Sequence, residues 1–317
     1  MKQPSFWKDV SVLNFLLFPF CLIYQLITRI RFLITKPYKP AKPVICIGNV
    51  TAGGAGKTPT AMAIAKLLID MGKNPVFLTR GYGGSLKVTT IVNPDIHKAQ
   101  DTGDEPLLLS RVATTIVSKN RVIGAKLACE KDFDVIIMDD GMQNPTIEKT
   151  ISFLVIDGSY GIGSGHIIPA GPLRESLKNG LEKTEAVIFI GQDKKHMLHK
   201  LKGEKVIKAG IKAKEYNKND KYVAFCGLGN PDKFFDTLLE SGYNVIEKKD
   251  FPDHYNYKQQ DMDDLRNLAK SWKAKLITTE KDYVRLSNEH RKDIATLPVT
   301  IEFQNTEEVK SILKDIL

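Results

Sequence analysis

The stretch VICIGNVTAGGAGKTPTAMAIAKLLIDMG, Val44 to Gly72, leaves the chain few ways to fold. An apolar, β-branched run reads as a buried strand, a glycine-rich loop follows it, and a helical pattern opens directly after the loop. Pro59 suits the first helical turn, where an amide proton would have no partner, and Gly72 suits the C-terminal stop. Strand, loop and helix in that order make a phosphate cradle, because small residues let backbone amides turn inward at the positive end of the helix. The residues expected to line it are Thr51, Ala52, Gly53, Gly54, Ala55, Gly56, Lys57 and Thr58. Lys57 then reaches the β- and γ-phosphates of a nucleotide, and Thr58 offers its hydroxyl to Mg²⁺. The strict pattern has glycine where this chain has Thr51, so the loop is a variant.

A phosphate loop needs a metal-holding acid on a neighbouring strand. DVIIMDD supplies it: Val135 to Met138 are apolar, and Asp139 and Asp140 close the run. In parallel sheets ligands gather at the carboxyl ends of strands, which puts these acids opposite the loop. The runs NPVFLTR, TTIV, ISFLVID and EAVIFIG read as further buried strands, with helical patterns between several of them. The expected fold class is therefore α/β: a P-loop NTPase-like domain with a mostly parallel sheet covered on both faces. A second set follows a charged stretch at residues 212–220 and comprises KYVAFCGLG, YNVIEKKDF, KLITTEK and PVTIEFQ. It predicts a smaller α/β domain over 216–317, with the phosphate-loop domain over 36–215. Asn217-Lys218-Asn219-Asp220 fits the NKxD pattern that reads guanine, but it precedes a strand instead of closing one and is read as a chance match.

Val10 to Thr28 carry no charge, about the length that crosses ~30 Å of hydrocarbon as a helix. Arg29, Arg31, Lys36, Lys39 and Lys42 follow, with no acid before position 50. Residues 1–35 are expected to be a membrane anchor with the bulk of the chain on the cytoplasmic side. No small-residue cleavage site follows the run, which argues against a signal peptide. Pro19, Asn14 and Gln25 leave open a bent helix lying in one leaflet. The net charge of +9 suggests an anionic partner, and the basic cluster beside the apolar run favours a membrane surface over nucleic acid. Four cysteines without a CxxC pair speak against a disulfide framework or zinc site.

Three more stretches carry chemistry: TRGYGG with Arg80, DTGDEPLLL with Asp104 and Glu105, and AGPLRES with Arg174 and Glu175. Taken with GNVTAGGAGKTP, DDGMQ and FPDHY, in that order along the chain, they resemble the tetraacyldisaccharide 4′-kinase family of Gram-negative bacteria. The resemblance runs from the apolar segment through at least Tyr255. It implies transfer of the γ-phosphate of ATP to the 4′-hydroxyl of a tetraacylated disaccharide 1-phosphate, giving lipid IVA, at the cytoplasmic face of the inner membrane. The partners it implies are an acylated disaccharide lipid and the membrane surface, with neither nucleic acid nor an obligate protein partner. By matching motif, Asp104 is the base, His254 its partner, Lys57 and Arg174 serve the phosphates, and Thr58, Asp139, Asp140 and Glu175 serve Mg²⁺. Arg121 corresponds to a family arginine in a less distinctive context. Where the family reads DDGFQH, this chain has Asn144, which cannot take up a proton near neutral pH. A membrane-tethered ATPase switch is the rival reading, and it leaves GDEP, PAGPLRE and PDHY without a role.

Overall fold

The computed structural model describes residues 4–213 and 219–317. In chain order its strands are β1 (Val44–Gly48), β2 (Pro75–Thr79), β3 (Thr90–Ile91), β4 (Thr115–Val117), β5 (Val135–Asp139), β6 (Ile151–Asp157), β7 (Ala186–Ile190), β8 (Val206–Ala213), β9 (Lys221–Cys226), β10 (Asn244–Asp250), β11 (Lys275–Thr279), β12 (Ile294–Leu297) and β13 (Val299–Phe303). The α-helices are α1 (Val12–Ile34), α2 (Lys57–Asp70), α3 (Ala99–Thr102), α4 (Asp104–Leu109), α5 (Arg121–Glu130), α6 (Leu177–Leu181), α7 (Pro231–Glu240), α8 (Gln259–Ser271), α9 (Glu280–Arg285) and α10 (Thr306–Lys314). A nine-stranded sheet runs β13-β8-β7-β6-β1-β5-β2-β4-β3, and a separate four-stranded sheet runs β10-β9-β11-β12. Every pairing is parallel except β13 with β8 and β3 with β4, at the two edges of the larger sheet.

Parallel strands buried on both faces need continuous apolar runs, and β1, β2, β5 and β7 are buried throughout. Alternation then divides β1: Ile45 and Ile47 pack on the α2 side, whereas Val44 and Cys46 join clusters on the other side. On α2, Ala61, Ile64, Ala65 and Leu68 recur at helical spacing and all face the sheet. The sheet centre is what positions the site. β1 lies between β5 and β6, with Ile47 opposite Asp139, so the loop leaving β1 and the acids leaving β5 emerge side by side.

PVTIEFQ does not belong with the smaller sheet, as its place in the sequence suggested. Val299–Phe303 pairs antiparallel with β8, and Ile301 enters the larger core beside Ile207 and Ala209. Val309, Ile312 and Leu313 of α10 bury in the same core, so the chain returns to the first unit after β12. The smaller sheet takes Ile294–Leu297 as its last strand instead, a run too short to stand out by alternation. The boundary expected at residues 215–216 and the Asn217-Lys218 pair lie outside the described residues.

Among the described helices, α1 alone is long and apolar enough to cross a membrane. One stripe of it, Asn14, Leu17, Cys21, Tyr24, Thr28 and Phe32, is buried or half-buried, a spacing of three to four residues. Asn14 Nδ2 donates to the carbonyl of Ala170, Cys21 Sγ to that of Ile167 at 3.0 Å, and Lys183 Nζ lies 4.4 Å from the Phe32 ring centroid. The remaining faces expose Phe15, Phe18, Phe20, Ile23 and Ile27, among others, to solvent.

Candidate active site

Beyond β1 the chain turns through a loop in which Gly53 and Gly56 have φ of 123° and 93°. Side chains other than glycine avoid that region, and a Cβ on Gly56 would also come within 2.7 Å of Ile190 Cδ1. The loop is laced to the AGPLRE segment: the Ala52 amide donates to Pro172 O and the Arg174 amide to Val50 O, each at 2.7 Å. Thr51, the departure from the strict pattern, is buried and accepts a hydrogen bond from Asn49 Nδ2 at 2.9 Å. Lys57 Nζ donates to Asn49 Oδ1 at 3.0 Å and stands 3.6 Å from Asp140 Oδ1.

Two acids with opposite electrostatics face this loop. Asp139 is buried, its Oδ2 accepts the Thr58 hydroxyl at 2.9 Å, and its Oδ1 is buried with no partner among the described residues. Burial, followed by the charges of Glu105 and Asp140, pushes its carboxyl up to about 7. Asp140 also suffers burial, but Lys57 and Arg174 outweigh it and hold the carboxyl down at about 2. Arg174 Nη1 lies 2.8 and 3.0 Å from the two Asp140 oxygens. Glu175 stands one step away, with one oxygen on Gln143 Nε2 at 2.9 Å and the other on Lys183 Nζ at 2.6 Å. Arg121 is buried, donates to Ser118 O at 2.7 Å and leaves its Nε unpartnered among the described residues. Burial and then the charge of Arg80 lower its guanidinium to about 10.

Asp104 opens α4 immediately after Gly103, whose φ is 88° and whose Cβ, if present, would lie 2.3 Å from Tyr82 O. The TRGYGG and GDEP stretches therefore interlock through backbone that only glycine permits. His254, itself at φ 56°, places Nδ1 2.9 Å from Asp104 Oδ2, and its ring lies 5.5 Å from that of Tyr82. Arg285 donates Nε and Nη2 to the same oxygen at 2.8 and 2.6 Å. Burial alone would raise the Asp104 carboxyl, but bonds from His254 and Arg285 and the Arg285 charge hold it below the usual carboxylate range. Asp104 is thus an ionised, oriented acceptor assembled across two units: Asp104 comes from the larger, and His254 and Arg285 come from the smaller. Its neighbour Glu105 pairs with Lys281 at 2.7 Å, which chiefly lowers its carboxyl, and Glu105 also feels the charges of Lys57 and Asp140. Through Glu105, which lies within electrostatic reach of Lys57, Asp139 and Asp140, the Asp104 cluster adjoins the phosphate loop and the acid pair.

A glycine loop of phosphate-binding form, a buried acid pair beside it and a separate oriented carboxylate thus lie near one another. Comparison with known proteins supplies the family. The sequence profile of LpxK, tetraacyldisaccharide-1-P 4′-kinase, matches residues 13–317. The chain belongs to the tetraacyldisaccharide 4′-kinase family. It is 40% identical over 317 residues to the tetraacyldisaccharide 4′-kinase of Rhodopseudomonas palustris strain BisA53, covering 96% of this chain and 93% of that protein. It is 42% identical over 308 residues to that of Paramagnetospirillum magneticum, covering 96% and 95%. A crystal structure of LpxK from Aquifex aeolicus in complex with ATP is similar at a TM-score of 0.78 and 27% identity, covering 96% of this chain and 99% of that one.

Within this family member, Lys57, Thr58, Asp139, Asp140 and Arg174 converge as expected from the sequence, and Asp104 meets His254. Glu175 does not reach the acid pair directly: Gln143 links it there, bonding Glu175 and accepting from Arg174 at 3.3 Å. Asn144 is turned into its own loop, accepting from the amide and hydroxyl of Thr146 at 2.8 and 2.7 Å. Arg285 and Lys281 were not singled out from the sequence. The available signal was the four-residue spacing of two cations on the helix after KLITT, which brings both to one face.

Proposed function

We propose that this chain transfers the γ-phosphoryl group of ATP to the 4′-hydroxyl of a tetraacyldisaccharide 1-phosphate. The observation that carries the reading is Asp104, held ionised by His254 and Arg285 next to Glu105, because an acceptor hydroxyl needs an oriented carboxylate ready to take its proton. The acceptor hydroxyl oxygen forms a bond to the γ-phosphorus as the bond to the β-γ bridging oxygen breaks, and the hydroxyl proton passes to Asp104. ADP leaves with the bridging oxygen. Lys57 and Arg174, paired with Asp140 in the structure, stabilise charge on the transferring group, and the loop amides hold the β-phosphate. The Thr58 hydroxyl, the unpartnered Asp139 oxygen and Asp140 are hard oxygen donors that fit Mg²⁺ and would hold it. Held there, Mg²⁺ would supply charge neutralisation for the nucleotide phosphates.

The acceptor's acyl chains keep it in a bilayer, and α1 gives the enzyme a way to reach it. Because the docked stripe extends from Asn14 to Phe32, α1 lies along the body of the protein, which supports a helix resting in one leaflet more than one crossing the membrane. The cytoplasmic face of the inner membrane supplies ATP on that side. Incubating the protein with labelled ATP and the lipid, then separating lipid products by thin-layer chromatography, tests the proposal. A new labelled lipid supports it, and label appearing only as inorganic phosphate would sink it.

A further inference from the structure

We infer that Arg285 is a positioning residue for the base, selecting which oxygen of Asp104 faces the acceptor hydroxyl. The inference rests on the reading of Asp104 as base. Three donors, Arg285 Nε, Arg285 Nη2 and His254 Nδ1, all end on Asp104 Oδ2, and none is directed at Oδ1 among the described residues. With Oδ2 saturated, Oδ1 is the oxygen left to take the hydroxyl proton. A guanidinium does this where an ammonium cannot, because two N–H groups of its rigid plane converge on the one oxygen while a third nitrogen is anchored behind.

Arg285 is itself held from behind. Its Nη1 donates to Gly227 O at 2.9 Å and to Asp282 Oδ1 at 2.8 Å, and its side chain is almost wholly buried. Asp282 is fixed in turn by the Tyr257 hydroxyl at 2.8 Å, the Gly227 amide at 2.9 Å and the Thr279 hydroxyl at 2.6 Å. Tyr257 sits in the core of the smaller unit, against Phe225 and Phe251. A continuous buried line therefore runs Tyr257–Asp282–Arg285–Asp104 from that core to the reacting carboxylate. Its rigidity sets the position of Oδ1 to within the tolerance that transfer geometry demands.

The competing role for Arg285 is a latch that merely joins the two units. The two differ in kinetics. A latch, once the protein is folded and saturated with both substrates, leaves kcat and its pH profile alone. A positioning residue lowers kcat by about 10²-fold when removed, since a displacement of an ångström costs that much, while KM for ATP stays the same. The groups facing Asp104 are His254 and Arg285, with Glu105 and Lys281 next to them. Taking away the Arg285 cation lets burial raise the Asp104 carboxyl, so the acid limb of the kcat profile moves to higher pH in Arg285→Met. Arg285→Lys keeps a charge and loses the fork: its acid limb stays near the wild-type position and its kcat falls. If Arg285→Met is insoluble, Arg285→Lys and Tyr257→Phe carry the test, each expected to lower kcat at unchanged KM for ATP. Folded variants with wild-type kcat and an unmoved acid limb overturn the inference. Asp104→Asn, measured in parallel, separates the two readings: if it too transfers normally the base assignment falls, and if it alone is crippled only the role of Arg285 falls.

Discussion

Replacing Asp104 isolates the chemical role of the base if the substitution is chosen with its partners in view. Asp104→Ala would leave Nε and Nη2 of the buried Arg285 guanidinium without their acceptor, with Asp282 the remaining carboxylate, and stripping one member of a buried ion pair costs up to about 3–5 kcal/mol. That is a large share of a typical ~5–15 kcal/mol of stability, so lost activity in the alanine variant would mix unfolding with chemistry. Asp104→Asn keeps an oxygen for Arg285 and removes the proton acceptor. It should lower kcat by roughly 10²–10⁴-fold, the usual contribution of a general base. At about 1.4 kcal/mol per tenfold this is roughly 3–5 kcal/mol of transition-state stabilisation. KM for ATP should be unchanged, because Lys57, Thr58 and the loop are untouched. His254→Ala should lose a similar factor, and the double variant should fall within about tenfold of the worse single one, since groups acting as a unit are not additive. The assay is steady-state formation of labelled lipid by detergent-dispersed enzyme, with thermal melting to establish that each variant is folded. Independent action would give a product of factors, roughly 10⁴–10⁸. That outcome, or an Asp104→Asn variant within tenfold of wild type, refutes the reasoning.

Other expectations follow from the same geometry. The Asp139 carboxyl is raised to about 7, so without a cation its ionisation costs stability that is absent below the unfolded carboxylate range and grows as pH rises toward 7. Mg²⁺ relieves this penalty, so its effect on Tm should be larger at pH 8 than at pH 6, and equal shifts would contradict the metal assignment. Asn144→His should leave the pH–rate profile without a new feature near ~6.5, where a histidine titrates, and should slightly lower Tm by removing the acceptor for Thr146. Substituting Phe20, Ile23 and Ile27 with serine should weaken flotation with phospholipid vesicles while sparing kcat in detergent, because these side chains are exposed. Removing residues 1–34 should do more, lowering kcat as well, since Asn14 and Cys21 hold the loop that carries Arg174. A truncated enzyme with full activity would show that this docking is dispensable.

The phosphate loop and the acids at the end of β5 were legible because each is local: the strand, the glycines and the charged residue are contiguous, and sheet topology does the rest. His254 and Asp104 were legible only through family motifs, since a contact across 150 positions has no periodic trace. Arg285 escaped because KDYVR reads as an ordinary amphipathic turn. Its meaning comes from the interface, where it meets a carboxylate carried by the other unit. The misplaced strand has a similar cause. Val299, Ile301 and Phe303 alternate as any strand does, and only the apolar edge of β8 and the docking of α10 draw them back to the larger sheet. Glu175 illustrates a different limit, since its neighbours Lys183 and Gln143 decide whether it reaches the acid pair, and neither pairing has a local signature.

The central claim, phosphoryl transfer to a lipid hydroxyl, is tested most directly by stoichiometry. ADP and 4′-phosphorylated lipid should be quantified in the same reaction of wild-type enzyme, with and without the tetraacyldisaccharide 1-phosphate. The account predicts one phosphorylated lipid per ADP, and little ADP when the lipid is omitted. ADP formed at the same rate without lipid, or without label at the 4′ position, would contradict it.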